Sequence, residues 1–220
     1  MTEDIHAVLF DLDGTLADTA PDLAHALNRT LEHFGRPALP FEAIRPVVSH
    51  GGIALIRRGF GMEPEDRGFE ERRQHLLDVY LNNICTHTRL FPGMEAVLTR
   101  LCARNIPWGI VTNKPSWLTD PLMAALPMPC GTGVVVSGDT LPQRKPHPAP
   151  LLHAAERLDT DPAHCLYVGD AERDIEAGRA AGMTTACALF GYLGEEDRPE
   201  DWGADLWLRQ PGDLLAFLPD

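Results

Sequence analysis

Residues 5–15 read Ile5-His6-Ala7-Val8-Leu9-Phe10-Asp11-Leu12-Asp13-Gly14-Thr15. An apolar run that stops at an aspartate suits a strand of a parallel sheet buried on both faces; a half-exposed strand would alternate polar and apolar residues. Asp13-Gly14 then turns the chain. Asp18 and Thr19 before Pro21, with Asp22 in the first turn, mark a helix start. Leu23, Leu27, Leu31 and Phe34 keep helical spacing on from there, and Gly35 closes the helix.

As far as about Ile84 the pattern is helical only. Phe41 to Val48 is a short segment broken by Pro46, and Ile53 to Phe60 follows through Gly51-Gly52. Phe69, Leu76, Leu77, Tyr80, Leu81 and Ile84 trace one face of a longer helix, and no strand is expected between Pro21 and Leu90. After Pro92-Gly93 the rhythm changes. Strands are expected at Trp108–Thr112, Gly133–Ser137, Cys165–Val168, Thr184–Leu189 and Asp205–Leu208, with helices between them. Such alternation predicts an α/β core, an open parallel sheet covered by helices on both faces. The expected organisation is a core of residues 1–20 and 91–220, with a helical insertion, 21–90, after the first strand.

Bulk properties narrow the function. The formal net charge is -13 and the pI about 5.0, which opposes binding to nucleic acid or to anionic lipid. No apolar stretch reaches the length of a membrane span, and residues 1–4 do not resemble a signal peptide. The five cysteines are scattered without a C-x-x-C pair and read as reduced thiols, which implies a cytoplasmic protein. Trp202 and Trp207 are expected to pack the C-terminal segment.

Ligands of open α/β sheets bind beyond the carboxyl ends of the strands. Asp11 and Asp13 follow the first strand, Thr112 and Asn113 the second, and Gly169-Asp170 the one ending at Val168; Lys145 lies in a loop before a helix. Clustered carboxylates repel unless a cation sits among them, and Mg²⁺ suits an all-oxygen site. Together Mg²⁺ and Lys145 would draw a phosphate dianion, and the Thr112 hydroxyl would donate to it. Asp11 is the candidate nucleophile and Asp13 the candidate general acid and base. Simpler roles stay open for several of these residues. Asn113 can cap a helix, Lys145 can be a surface lysine, and Asp174 can answer a helix dipole. His50, before Gly51-Gly52, and Arg45 are tentative anion contacts or members of a solvated helix face.

Asp11-Leu12-Asp13-Gly14-Thr15, Thr112-Asn113, Lys145-Pro146, and Gly169-Asp170 with Asp174 together resemble the four motifs of the haloacid dehalogenase superfamily, in order and across the whole chain. The resemblance implies a Rossmann-like core and makes the insertion a helical cap. It implies Mg²⁺ held by Asp11, the Asp13 carbonyl and Asp170, and phosphate held by Thr112, Asn113 and Lys145. Thr112-Asn113-Lys114-Pro115 and the cap placement are similar to phosphoglycolate phosphatases. Gly68-Phe69-Glu70-Glu71, Trp108–Pro115 and Trp202-Gly203-Ala204-Asp205 are similar to the N-acetylmuramic acid 6-phosphate phosphatases. Either implies a small phosphorylated metabolite as partner, for a monomer or homodimer. A phosphosugar mutase of the β-phosphoglucomutase type would keep the same motifs. A dehalogenase needs neither Asp13 as an acid nor Mg²⁺. A phosphonatase would want a cap lysine, and residues 21–90 contain none.

Overall fold

A computed structural model of the chain describes residues 5–218. In chain order it runs β1 (Ala7–Phe10), β2 (Ala17–Asp18), α1 (Ala20–His33), α2 (Phe41–Ile44), a 3₁₀ turn Arg45–His50, α3 (Gly51–Phe60), α4 (Phe69–Asn82) and β3 (Arg89–Leu90). There follow α5 (Met94–Ala103), β4 (Trp108–Val111), α6 (Ser116–Ala125), β5 (Val134–Val136), α7 (Ala149–Arg157), β6 (Cys165–Gly169), α8 (Glu172–Ala180), β7 (Thr184–Ala188) and β8 (Leu206–Leu208). Six strands form one sheet in the order β5-β4-β1-β6-β7-β8, every neighbouring pair parallel. The chain crosses to one side of β1 and later to the other, so the switch in strand order falls at β1. Phe10 is level with Ile110 of β4 and Val168 of β6, which brings the three segments beyond these strands to one edge.

Period two sorts the first strand between the faces. Val8 and Phe10 join a cluster with Ile110, Leu166, Val168, Val97, Leu98 and Leu122. Ala7 and Leu9 join the opposite cluster with Val111, Leu151, Ala154 and Tyr167. Each fully buried leucine or phenylalanine contributes about 1.5–3 kcal/mol relative to exposure. Within the insertion, Leu27 and Leu31 of α1, Leu55 and Phe60 of α3, and Leu76 and Tyr80 of α4 are buried. They belong to the same apolar cluster as the first face of the sheet, so apolar packing runs continuously from the helices into the core.

Four features differ from the sequence expectation. The insertion is bounded by a two-stranded antiparallel ribbon, Ala17 opposite Leu90 and Asp18 opposite Arg89. A strand of two residues carries no periodicity to read. Asp22, expected only as an acid in the first helical turn, has a further role. It is buried, accepts from the His87 and Thr88 backbone N–H groups and the Thr88 hydroxyl at 2.7–3.0 Å, and so fastens α1 to the segment before β3. Cys102 and Cys130 form a disulfide with Cα atoms 6.6 Å apart, while Cys85, Cys165 and Cys187 are free. Both paired residues pack on one apolar cluster, a proximity that chain spacing does not reveal, and the cytoplasmic expectation loses a support with them. Trp202 is buried beside Ile175 and Cys187, but Trp207 is 47% exposed and packs little.

Candidate active site

Asp11 is the first residue beyond β1. Its N–H donates to the Val168 carbonyl at 2.8 Å, which continues the sheet by one rung and fixes its backbone. Oδ1 accepts from the Leu12 N–H at 2.8 Å. Lys145 reaches the same atom: Nζ lies 2.8 Å from Asp11 Oδ1 and 2.8 Å from Asp174 Oδ1. It also lies 2.8 Å from the Tyr167 hydroxyl and from the Val111 carbonyl. An ammonium buried this completely needs such a shell, because an unpaired one would lose its proton. Burial raises the Asp11 carboxyl above its ordinary range although Lys145 pulls it down. Asp174 suffers the same burial, yet Lys145 and Arg173, with the Ala171 N–H, hold it below.

The Lys145 backbone is held by Asn113. The Asn113 amide donates to the Lys145 carbonyl at 2.9 Å and its Oδ1 accepts from the Lys145 N–H at 3.0 Å. Its side chain therefore supports the lysine loop. Thr112 is buried, with its hydroxyl oxygen accepting from the Lys114 N–H at 3.1 Å.

Asp170 follows β6. Its Oδ2 accepts from the Ser49 hydroxyl at 2.7 Å and the Tyr192 N–H at 2.9 Å. Oδ1 is buried and has no hydrogen-bond partner among the described residues. Desolvation, then the charges of Asp11 and Asp174, push this carboxyl up to about 7. Oxygens of Asp11, Asp170 and Asp174 lie within 4.8 Å of one another. An orphaned buried oxygen among mutually repelling carboxylates fits a hard divalent cation with oxygen ligands. Gly14 is required beside it: φ is +88°, and a Cβ would stand 2.1 Å from Asp170 Oδ2.

Asp13 takes both of its contacts on Oδ1, from the Thr19 hydroxyl at 2.6 Å and Lys114 Nζ at 2.7 Å. Asp11, Asp13, Thr112, Asn113 and Lys145 all line one cavity of about 630 Å³ between sheet edge and helices. His50 lines it too, exposed and 3.5 Å from Arg173 Nη1; partial desolvation and that guanidinium lower its pKa. Arg45 does not line it. Its guanidinium donates to the Phe190 and Gly191 carbonyls at 3.2 and 3.0 Å and covers the Tyr192 ring at 4.9 Å, pinning the helices to the core. Arg173 does likewise from the core side, donating to the Ser49 carbonyl at 2.8 Å.

The profile of the family described as haloacid dehalogenase-like hydrolase matches residues 8–188. This chain belongs to the haloacid dehalogenase-like hydrolases. The hydrolase is 41% identical over 214 residues to an N-acetylmuramic acid 6-phosphate phosphatase of Pseudomonas putida, covering 97% of this chain and 96% of the relative. To a phosphoglycolate phosphatase of Xanthomonas campestris pv. campestris it is 43% identical over 208 residues, covering 94% of each. A solved structure described as a predicted phosphoglycolate phosphatase from Haemophilus somnus superposes with a TM-score of 0.85 at 27% identity, over 97% of each chain. No described helix of this hydrolase is long and apolar enough to cross a membrane.

Several residues of the hydrolase's site escaped the sequence reading. Lys114 adjoins Thr112-Asn113 and Arg173 adjoins Asp174, so adjacency was a usable signal for both. Ser49, Tyr80 and Tyr192 carry no local signal, because only the packing of distant segments brings them in.

Proposed function

We propose that the chain hydrolyses a small phosphomonoester through an aspartyl-phosphate on Asp11, with Mg²⁺ bound by Asp11, the Asp13 carbonyl and Asp170. The enzyme class, phosphoric monoester hydrolase, follows from the family and its named relatives. The observation that carries the mechanism is the convergence of Asp11, Asp170 and Asp174 around the orphaned Asp170 Oδ1, with Lys145 against Asp11. The cation would neutralise the carboxylates and draw electron density from the phosphoryl oxygens. Lys145 and the Thr112 hydroxyl hold the phosphate, and Asn113 serves by fixing the Lys145 loop. Asp11 attacks phosphorus; Asp13 protonates the departing oxygen and then takes a proton from the incoming water. Asp174 holds Lys145. Residues 21–90 act as a cap over a core of residues 1–20 and 91–220, excluding water during the first transfer and choosing the substrate. His50, Ser49 and Arg73 are the cap's polar side chains in the cavity, and Arg45 is a fastener of the closed form.

The first reading of the substrate is 2-phosphoglycolate. A second, N-acetylmuramic acid 6-phosphate, is favoured by the cavity itself. Its volume of about 630 Å³ and its wall of Leu23, Val48, Ile53, Leu77 and Leu118 exceed what a two-carbon acid fills. Phosphate release should be measured on both compounds and on common hexose phosphates, with and without Mg²⁺. The reading expects one or both acids to be turned over and a chelator to stop it. Interconversion of sugar phosphates without phosphate release would instead identify a mutase.

A further inference from the structure

Two lysines are buried at this site, and the proposed chemistry accounts for one. Lys145 belongs to Asp11 and Asp174. Lys114 is a separate ion pair: Nζ lies 2.7 Å from Asp13 Oδ1, with the two side chains only 7% and 15% exposed. Its other neighbour is Tyr80 of α4, whose ring centroid is 4.7 Å from Nζ. Tyr80 is fully buried, and its hydroxyl has no hydrogen-bond partner among the described residues. Its ring lines the same cavity and lies beside the ammonium, whose charge partly offsets the rise that burial gives the Tyr80 hydroxyl. Cation–π attraction is strongest when both partners are dry, as here. Lys114 thus joins a carboxylate of the core loop to an aromatic ring of the helical insertion. With Thr19 and Lys114 both on Oδ1, the second oxygen of Asp13 is left for the ligand.

Resting on the phosphatase reading above, we propose that Lys114 is a positioning residue for the proton donor, held in register by Tyr80. As the Asp11 oxygen forms its bond to phosphorus, the bond from phosphorus to the ester oxygen breaks and its electron pair goes to that oxygen. Asp13 in its acid form passes a proton from Oδ2 to the same oxygen, and the Lys114 ammonium at Oδ1 pairs with the carboxylate left behind. Water then attacks phosphorus, gives a proton to Asp13, and the Asp11–phosphorus bond breaks with its electrons returning to Asp11. Because Tyr80 belongs to α4, the clamp is complete only with the helices seated over the core.

A proton donor matters for a poor leaving group and little for a good one. Values of kcat/KM should be measured for an alkyl phosphate and for p-nitrophenyl phosphate on the same preparation of full-length protein with Mg²⁺. Their ratio is independent of the fraction of folded enzyme, so partial unfolding of a variant does not obscure it. In Lys114→Met the alkyl-to-aryl ratio should fall about a hundredfold, at the low end of what general acid catalysis supplies. Lys114→Arg should restore most of that ratio, and Tyr80→Leu should lower it more than Tyr80→Phe, which keeps the ring. An unchanged ratio in Lys114→Met, with both substrates slowed equally, would overturn the proposal and leave Lys114 a structural or phosphate-binding residue. Wild-type protein that releases phosphate from neither compound nor from the acids named above would sink the phosphatase reading itself.

Discussion

The cavity has two walls. On the sheet side, charge faces charge: Lys145 against Asp11 and Lys114 against Asp13, with Asp174 and the Asp170 oxygen that has no partner among the described residues standing behind them, outside the lining. On the helical side, Val48, Ile53 and Leu77 face the same space, while Arg45 and Ser49 reach past it to groups of the core. The sheet wall is over-determined, because each buried charge needs its partner to remain buried. The helical wall is held by apolar contact and a few tethers, so its residues can change without disturbing the carboxylates. In the reading proposed above, chemistry is thereby separated from choice of substrate.

Perturbing the sheet wall should have the largest effects. Asp11→Asn should lower kcat by more than about a thousandfold, the order expected when a nucleophile is removed. Its melting temperature should not fall, since burial already disfavours the Asp11 charge and Lys145 keeps Asp174. Lys145→Met leaves two buried carboxylates without their cation, which costs about 3–5 kcal/mol of stability by denaturant titration. That loss should grow as pH rises and both groups are forced to ionise.

Asp170 gives a smaller and more specific effect. Its folded pKa of about 7 stands above the ordinary 3.8, so the metal-free protein keeps a proton that the unfolded chain has released. This contribution is full below the unfolded value and is lost as pH rises toward 7. Mg²⁺ bound there, as proposed above, would have to displace the proton. Its affinity should fall by about tenfold per pH unit below 7, with proton release seen by calorimetry in buffers of different ionisation enthalpy. An affinity flat between pH 5 and 8 would detach Asp170 from the metal. On the helical wall, Arg45→Ala should raise KM about fivefold with little change in kcat, the worth of about 1 kcal/mol of tethering. A loss of kcat rivalling Asp11→Asn would erase the distinction between the walls.

The same division governs what could be read in advance. Asp11, Asp13, Thr112 and Asp170 stand just past strands whose apolar runs are plain, and β-sheet geometry carries strand ends to one edge. Lys145 needed its place in the motif order, since its loop shows no period. The helices of the insertion were legible from spacing, but not which of their side chains cross to the core. Arg45 and Ser49 sit on a 3₁₀ turn behind Pro46, where no periodicity predicts direction, and Tyr80 reads simply as one more apolar position of α4. Asn113 was expected among the phosphate contacts; its side chain also grips the Lys145 backbone, a pairing across 32 residues that no local rule supplies.

Acid quenching of the enzyme during turnover with Mg²⁺, followed by borohydride reduction and mass spectrometry of its peptides, tests the central claim most directly. Trapping of the acyl phosphate should convert Asp11, and no other aspartate, to the reduced residue, and Asp11→Asn should give none. Phosphate release without trapping at Asp11, or trapping at Asp13 or Asp170, would contradict the account.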